Sequence, residues 1–172
     1  MQNNRKAFLG ADHRGFSLKS TLIESLTKKG YSVVDCGNSV YDPEDHYPKF
    51  ALAVGEAVVS DVSRSEKSDY KNELGQAQNP DKKRGIVICG SGVGVIIAAN
   101  KVKGIRAGFA LNEAQVRSAT KDDKINVLAI ASDHISEERA LDCALAFLET
   151  EFGEAQRYQD RIDMIEDYER SN

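Results

Sequence analysis

The stretch Gly85-Ile-Val-Ile-Cys-Gly-Ser-Gly-Val-Gly-Val-Ile-Ile-Ala-Ala-Asn100 limits what this chain can fold into more than any other. Ile86-Val87-Ile88 is a β-branched run ending at Cys89. Three glycines follow at every second position, and then comes an apolar, alanine-rich segment without a breaker. The order predicts a buried strand, a tight loop and a helix. At such a junction the glycines let a ligand approach the backbone, while free N–H groups and the positive end of the helix face any anion placed there. The same field lowers the pKa of a thiol at the strand end, so Cys89 is a candidate reactive thiolate. The pattern points to a proton-transfer site in which Cys89 takes a carbon-bound proton and the loop amides hold the resulting oxyanion.

Strand and helix patterns alternate on both sides of this unit. Ala7-Phe-Leu-Gly-Ala11 reads as a first strand, Asp12-His-Arg-Gly15 as a polar turn at its carboxyl end, and Phe16, Leu18, Leu22, Ile23 and Leu26 as one helix face stopped by Gly30. Tyr31 to Cys36 reads as a second strand, and Lys49 to Val59 as a helix. Ser60 to Arg84 turns polar and charged, a surface excursion with one short helix near Tyr70 to Leu74. Ile105 to Phe109 and Asn126 to Ala131 are the remaining strands, followed by helices over Asn112 to Lys121 and from Ser136, whose hydroxyl suits an N-cap. Five strands each followed by a helix imply a parallel sheet covered on both faces, with ligands at the carboxyl ends of the strands. The last segment, Glu154 to Arg170, has no strand to cover. A mostly polar helix of this kind suits a contact with a second subunit.

The totals exclude several classes. With 172 residues, 41% hydrophobic and 29% charged, the chain fits one globular domain with a real core. A net charge of -4 argues against nucleic acid as the main partner. Cys36, Cys89 and Cys143 form no CxxC pair and no zinc spacing, which predicts reduced thiols in a cytoplasmic setting. The N-terminal residues carry no signal-peptide core, and no apolar run is long enough for a bilayer.

Each motif has a plainer alternative. Gly90-Ser-Gly-Val-Gly94 is GxGxG, without the GxGxxG and ribose-binding acid of a dinucleotide site and without the GK[ST] of a P-loop. Free cysteine commonly serves as a small buried hydrophobe, and that reading competes for Cys89. Asp12 and His13 are either turn and surface residues or ligands at the carboxyl end of a strand beside the glycine loop. Arg157 and Arg161 share a helix face and can reach one phosphate, or can pair with Glu154 or Asp160. Tyr47-Pro48 also serves as a helix entry with proline in the first turn.

Taken together, Leu9-Gly-Ala-Asp-His-Arg-Gly15, Tyr47-Pro48, Ile88-Cys-Gly-Ser-Gly-Val-Gly94, Ala98-Ala-Asn-Lys101 and Gln156-Arg-Tyr-Gln-Asp-Arg-Ile162 resemble the ribose-5-phosphate isomerase type B family, which includes the galactose-6-phosphate isomerase subunits. The likeness covers nearly the whole chain outside residues 60–84. It implies a Rossmann-like three-layer α/β/α sandwich with a five-stranded parallel sheet. It also implies a cytoplasmic homodimer, or a tetramer, with its active site at the subunit interface and with no nucleic-acid or membrane partner. The implied reaction is aldose–ketose isomerisation of a sugar phosphate through an enediolate, without metal or organic cofactor. Cys89 corresponds to the base between C2 and C1. Ser91 assists proton movement between O1 and O2, and the amides of Gly90, Gly92, Val93 and Gly94 hold the enediolate. Asp12 acts beside them, His13, Tyr47 and Asn100 match sugar-contacting positions, and Arg157 and Arg161 match phosphate ligands supplied by the partner chain.

Four departures bear on the substrate and the mechanism. One branch of the family places a carboxylate base after the loop, where this chain has Val95, so the cysteine route is the one open. Where many members carry a His-Asn pair, with the histidine serving ring opening, this chain has Asp122-Asp123. A family arginine on the phosphate is replaced by Asp133, which reverses the local charge in the wrong direction for an anion. The acid that often precedes the tyrosine is His46. Ring opening by His46 or His134, a different sugar or sugar phosphate, and a non-catalytic sugar-phosphate-binding paralogue are the competing explanations.

Overall fold

A computed structural model describes residues 5–60 and 83–172. The polar excursion expected at about 60–84, with its short helix, lies almost wholly outside the described residues.

Five parallel strands form one sheet in the order β2-β1-β3-β5-β4. The strands are β1 (Lys6–Ala11), β2 (Ser32–Asp35), β3 (Lys83–Cys89), β4 (Ala107–Phe109) and β5 (Val127–Ala131). Among the described residues six helices accompany them: α1 (Phe16–Lys28), α2 (Tyr47–Val59), α3 (Val93–Ala99), α4 (Glu113–Asp123), α5 (Glu137–Glu149) and α6 (Gln156–Ser171). This is the expected three-layer α/β/α sandwich with an added C-terminal helix.

Side-chain alternation along the strands sorts the core into two layers. Ala7, Leu9, Ile86, Ile88, Leu128 and Ile130 point to one face, where Leu18, Leu22 and Leu26 of α1, Val116 of α4 and Phe147 of α5 cover them. Phe8, Val87, Cys89, Val127 and Ala129 point to the other, beneath Ala51, Val54 and Val58 of α2 and Val95, Ala98 and Ala99 of α3. Burial of both faces explains why the strands read as continuous apolar runs. Helix ends follow their local chemistry. Gly30 (φ +86°) closes α1, Asn112 Oδ1 accepts the Gln115 N–H at 3.0 Å to start α4, and Ser136 Oγ accepts the Arg139 N–H at 3.3 Å to start α5. No helix among the described residues is long and apolar enough to cross a membrane.

The strand order places the site. The chain leaves β1 toward β2 and then returns to β3 on the other side of β1, so α1 and α2 lie on opposite faces and a crevice opens between the carboxyl ends of β1 and β3. The register sets Ala11 beside Ile88, and the Asp12 N–H donates to the Ile88 carbonyl at 3.3 Å. Asp12-His13 and Cys89-Gly90 therefore emerge side by side from strands separated by the whole of α1, β2 and α2.

α6 is anchored by a few contacts. Ile162 is its one buried residue. Glu169 Oε2 accepts the Gly104 N–H at 2.8 Å, and Arg106 Nη1 pairs with Glu166 at 3.5 Å. Met164, Ile165 and Tyr168 remain 53–73% exposed.

Candidate active site

Cys89 closes β3 and is 4% exposed. Its Sγ accepts the Gly92 N–H at 3.2 Å. Gly92 is the N-cap of α3 and has φ +74°, a left-handed conformation that lets the chain turn from strand to helix within three residues. Phe109, from the end of β4, crowds the place a Cβ would occupy there, at 3.0 Å. Gly92→Ala is therefore expected to cost about 1–2 kcal/mol of stability for the left-handed backbone alone. Urea unfolding checks this, with the Sγ contact weakened in parallel.

The rest of the loop presents donors. Val93 N–H approaches Ser91 Oγ at 3.4 Å, and the amides of Gly94 and Val95 belong to the first turn of α3, where no preceding turn supplies acceptors. Tyr47 forms a wall of the site: a Cβ on Gly94 would meet its ring at 2.7 Å. Tyr47-Pro48 is thus both the entry of α2, with proline in the first turn, and a neighbour of the glycine loop.

Asp12 is 6% exposed and accepts the Arg14 and Gly15 N–H groups at 3.1 and 3.2 Å. Burial pushes its carboxyl above the ordinary value, against the opposing pull of the Gly15 N–H and the His13 charge. His13 Nδ1 lies 2.9 Å from Asp45 Oδ1, and this hydrogen bond is the main cause that raises the imidazole above its ordinary value.

Three arrangements were not legible beforehand. Asp133 does not face the site as a bare anion, because its carboxylate pairs with Arg14. The pair brackets Gly90, where a Cβ would lie 2.5 Å from Arg14 Nε and 2.7 Å from Asp133 Oδ2. This corrects the charge reversal read from Asp133 alone, since the compensating cation stands 119 positions away. Phe109 and Asp45 are the other two. Asp45 is one of several acids in the loop after β2, and nothing local marks it.

Two groups of expected residues lie away from the loop. Asn100 caps α3 at the opposite end from the glycines, with Nδ2 donating to the Ala107 carbonyl at 3.1 Å and Oδ1 accepting the Ala107 N–H at 2.8 Å. Both its polar atoms tie α3 to the start of β4, so it is a structural bracket and is not brought to the crevice. Arg157 and Arg161 lie exposed on α6. Neither forms a carboxylate pair among the described residues. Arg157 Nη2 instead meets Tyr158 Oη at 3.3 Å, and Asp160 accepts from Gln156, so the ion-pair face with Glu154 or Asp160 does not form.

This crevice and its fold have known counterparts. The model of the Ribose/Galactose Isomerase family matches residues 7–165. The chain belongs to that family. It is 37% identical over 163 residues to the probable ribose-5-phosphate isomerase B of Mycoplasma genitalium, covering 95% of each chain. It is 34% identical over 167 residues to ribose-5-phosphate isomerase B of Mycobacterium tuberculosis, covering 97% of this chain and 91% of that one. The crystal structure of ribose-5-phosphate isomerase B from Mycoplasma genitalium with bound ribulose-5-phosphate superposes with a TM-score of 0.83 at 35% identity over 97% of each chain. The Clostridium thermocellum ribose-5-phosphate isomerase B superposes with a TM-score of 0.78, again at 35% identity, over 96% of this chain and 98% of that one.

Proposed function

We propose that this protein is an aldose–ketose isomerase interconverting ribose 5-phosphate and ribulose 5-phosphate through an enediolate. The observation that carries the reading is Cys89 Sγ held 3.2 Å from the Gly92 N–H in the β1/β3 crevice. It occurs in a chain 35% identical to a protein crystallised with ribulose-5-phosphate.

Cys89, as thiolate, takes the C2 proton of the open-chain aldose. The C–H electron pair becomes the C1–C2 double bond and the carbonyl pair moves onto O1. Loop amides from Gly90 to Gly94 stabilise that oxyanion because they are fixed before the charge develops. Ser91 passes a proton between O2 and O1, and Cys89 returns its proton to C1, so atoms and charge balance. Asp12, whose carboxyl burial pushes above its ordinary value, and His13 contact the sugar, and Tyr47 closes one side. Ring opening falls to His46 or His134, both exposed in loops at the carboxyl end of the sheet.

We further propose a homodimer in which Arg157 and Arg161 hold the phosphate of the partner's substrate. Two arginines without carboxylate partners and the exposed Met164, Ile165 and Tyr168 on the same helix support it, as do Val93 and Ile97, each 57% exposed, on α3. A second copy is the natural cover for these apolar side chains. A single domain over 1–172 and a cytoplasmic setting belong to the same proposal.

Asp122 and Asp123 favour one alternative, an isomerase of a different sugar phosphate. NMR detection of solvent deuterium at C1 and C2 decides between them across ribose 5-phosphate, allose 6-phosphate, galactose 6-phosphate and unphosphorylated pentoses. Fastest exchange with ribose 5-phosphate is expected. Faster exchange in a hexose phosphate would reassign the substrate, and none in any sugar, with tight phosphate-dependent binding, would make the protein a binder.

A further inference from the structure

Asp45 takes no part in the reaction outlined above, yet it is held by three hydrogen bonds near the crevice. Its side chain is 5% exposed. A single oxygen, Oδ1, accepts the His13 backbone N–H at 2.8 Å and meets His13 Nδ1 at 2.9 Å. The other oxygen accepts from Asn38 Nδ2 at 3.2 Å. The Asn38 carbonyl accepts from Lys19 Nζ at 2.8 Å, and the same ammonium, on a side chain 1% exposed, holds both oxygens of Asp35 at 2.7 and 2.6 Å. Bonds therefore run without a break from α1, through the loop after β2, to the histidine on the turn after β1.

The chemistry of the pair assigns the proton. An ionised carboxylate only accepts, so Nδ1 carries the hydrogen toward Asp45. Nε2 is the ring nitrogen left over, and it makes no hydrogen bond among the described residues. A histidine anchored through Nδ1 and through its own backbone presents Nε2 at a fixed place, which is how a second residue orients a histidine that must meet a ligand.

We propose that Asp45 is the positioning residue of this site: by holding the backbone and Nδ1 of His13 together it fixes Nε2 where, once the ring is protonated, it donates to an anionic oxygen of the bound sugar phosphate. The proposal rests on the isomerase reading above and extends it to a residue 32 positions from the histidine it serves. The charged groups around the ring are Asp45, from the loop after β2, and Asp12 and Arg14 on its own turn. The two acids favour the imidazolium and Arg14 opposes it. His13 therefore stays cationic to higher pH than an isolated histidine. Anion binding through it is complete at low pH and is lost as pH rises through the raised pKa.

The test is Asp45→Asn, which keeps the shape and removes the charge. In the variant the titration midpoint of the His13 ring, followed by nitrogen–proton correlation NMR, is expected to move to lower pH. KM for ribose 5-phosphate at neutral pH is expected to rise about tenfold, with kcat nearly unchanged. The pH at which KM begins to climb should fall with the NMR midpoint. Asn38→Ala, which removes only the outer support of Asp45, should produce a smaller change in the same direction, and it serves where Asp45→Asn folds poorly. An unchanged His13 midpoint, or an equal loss of kcat and kcat/KM with KM and its pH profile unmoved, would overturn the proposal. A wild-type protein that isomerises no sugar would instead sink the isomerase reading. In that case the His13 midpoint and its response to inorganic phosphate decide the role of Asp45 by themselves.

Discussion

Cys89→Ala is expected to lower kcat for ribose 5-phosphate by about 10³-fold or more, because removing a positioned base forfeits the whole of its general-base contribution. Stability should fall by only about 1 kcal/mol, the worth of one hydrogen bond from Gly92. Binding should survive, since the loop amides, Asp12 and His13 are untouched. A coupled assay gives kcat, and deuterium exchange by NMR shows whether proton abstraction itself has stopped. A variant that keeps most of its exchange would remove Cys89 from the mechanism and return it to the role of a small buried hydrophobe. Cys89→Ser distinguishes the thiolate from mere polarity: a serine hydroxyl is not ionised at neutral pH, so this variant should be nearly as slow as the alanine.

The second large effect is expected from Arg157→Ala/Arg161→Ala. Losing two charge-assisted contacts to a phosphate should reduce kcat/KM by about 10²-fold or more, mostly through KM. The decisive measurement is the mixture of this double variant with Cys89→Ala. If the arginines serve the partner's site, a mixed dimer contains one site with both its cysteine and its arginines intact. Equal mixing with free exchange should then recover about one quarter of wild-type activity from two inactive proteins, as two-fold symmetry dictates. No recovery, in a mixture shown to exchange subunits, would place the arginines and Cys89 in one chain or outside the site altogether. Both arginines are exposed and neither has a carboxylate partner among the described residues, which is the observation behind this expectation.

These expectations divide by the range of the interactions behind them. The strand, loop and helix at Cys89 were legible because each is local: β-branched residues for the strand, glycines for the turn, and an unbroken apolar segment for α3. The turn at Asp12-His13, the proline entry at Tyr47, the N-cap at Ser136 and the stop at Gly30 rest on the same short-range chemistry, and each lies where its residues require. Asn100, which the family resemblance implied as a sugar contact, is carried by seven residues of helix to the end of α3 away from the glycines, where the Ala107 backbone takes up both its polar atoms.

By itself, then, the sequence determined the alternation of strands and helices, the two-faced burial of the sheet and the strand, glycine loop and helix at Cys89, since all of these follow from periodicity and backbone preference within a few residues. Only the tertiary structure decided the strand order that sets Asp12 beside Cys89, the neutralising of Asp133 by Arg14, and the grip of Asp45 on His13. The physical reason is the same in each case. Parallel strands are joined by crossovers, so neighbours in the crevice are 32 to 119 residues apart along the chain. Charge pairing and hydrogen bonding at short range in space leave no mark on local composition.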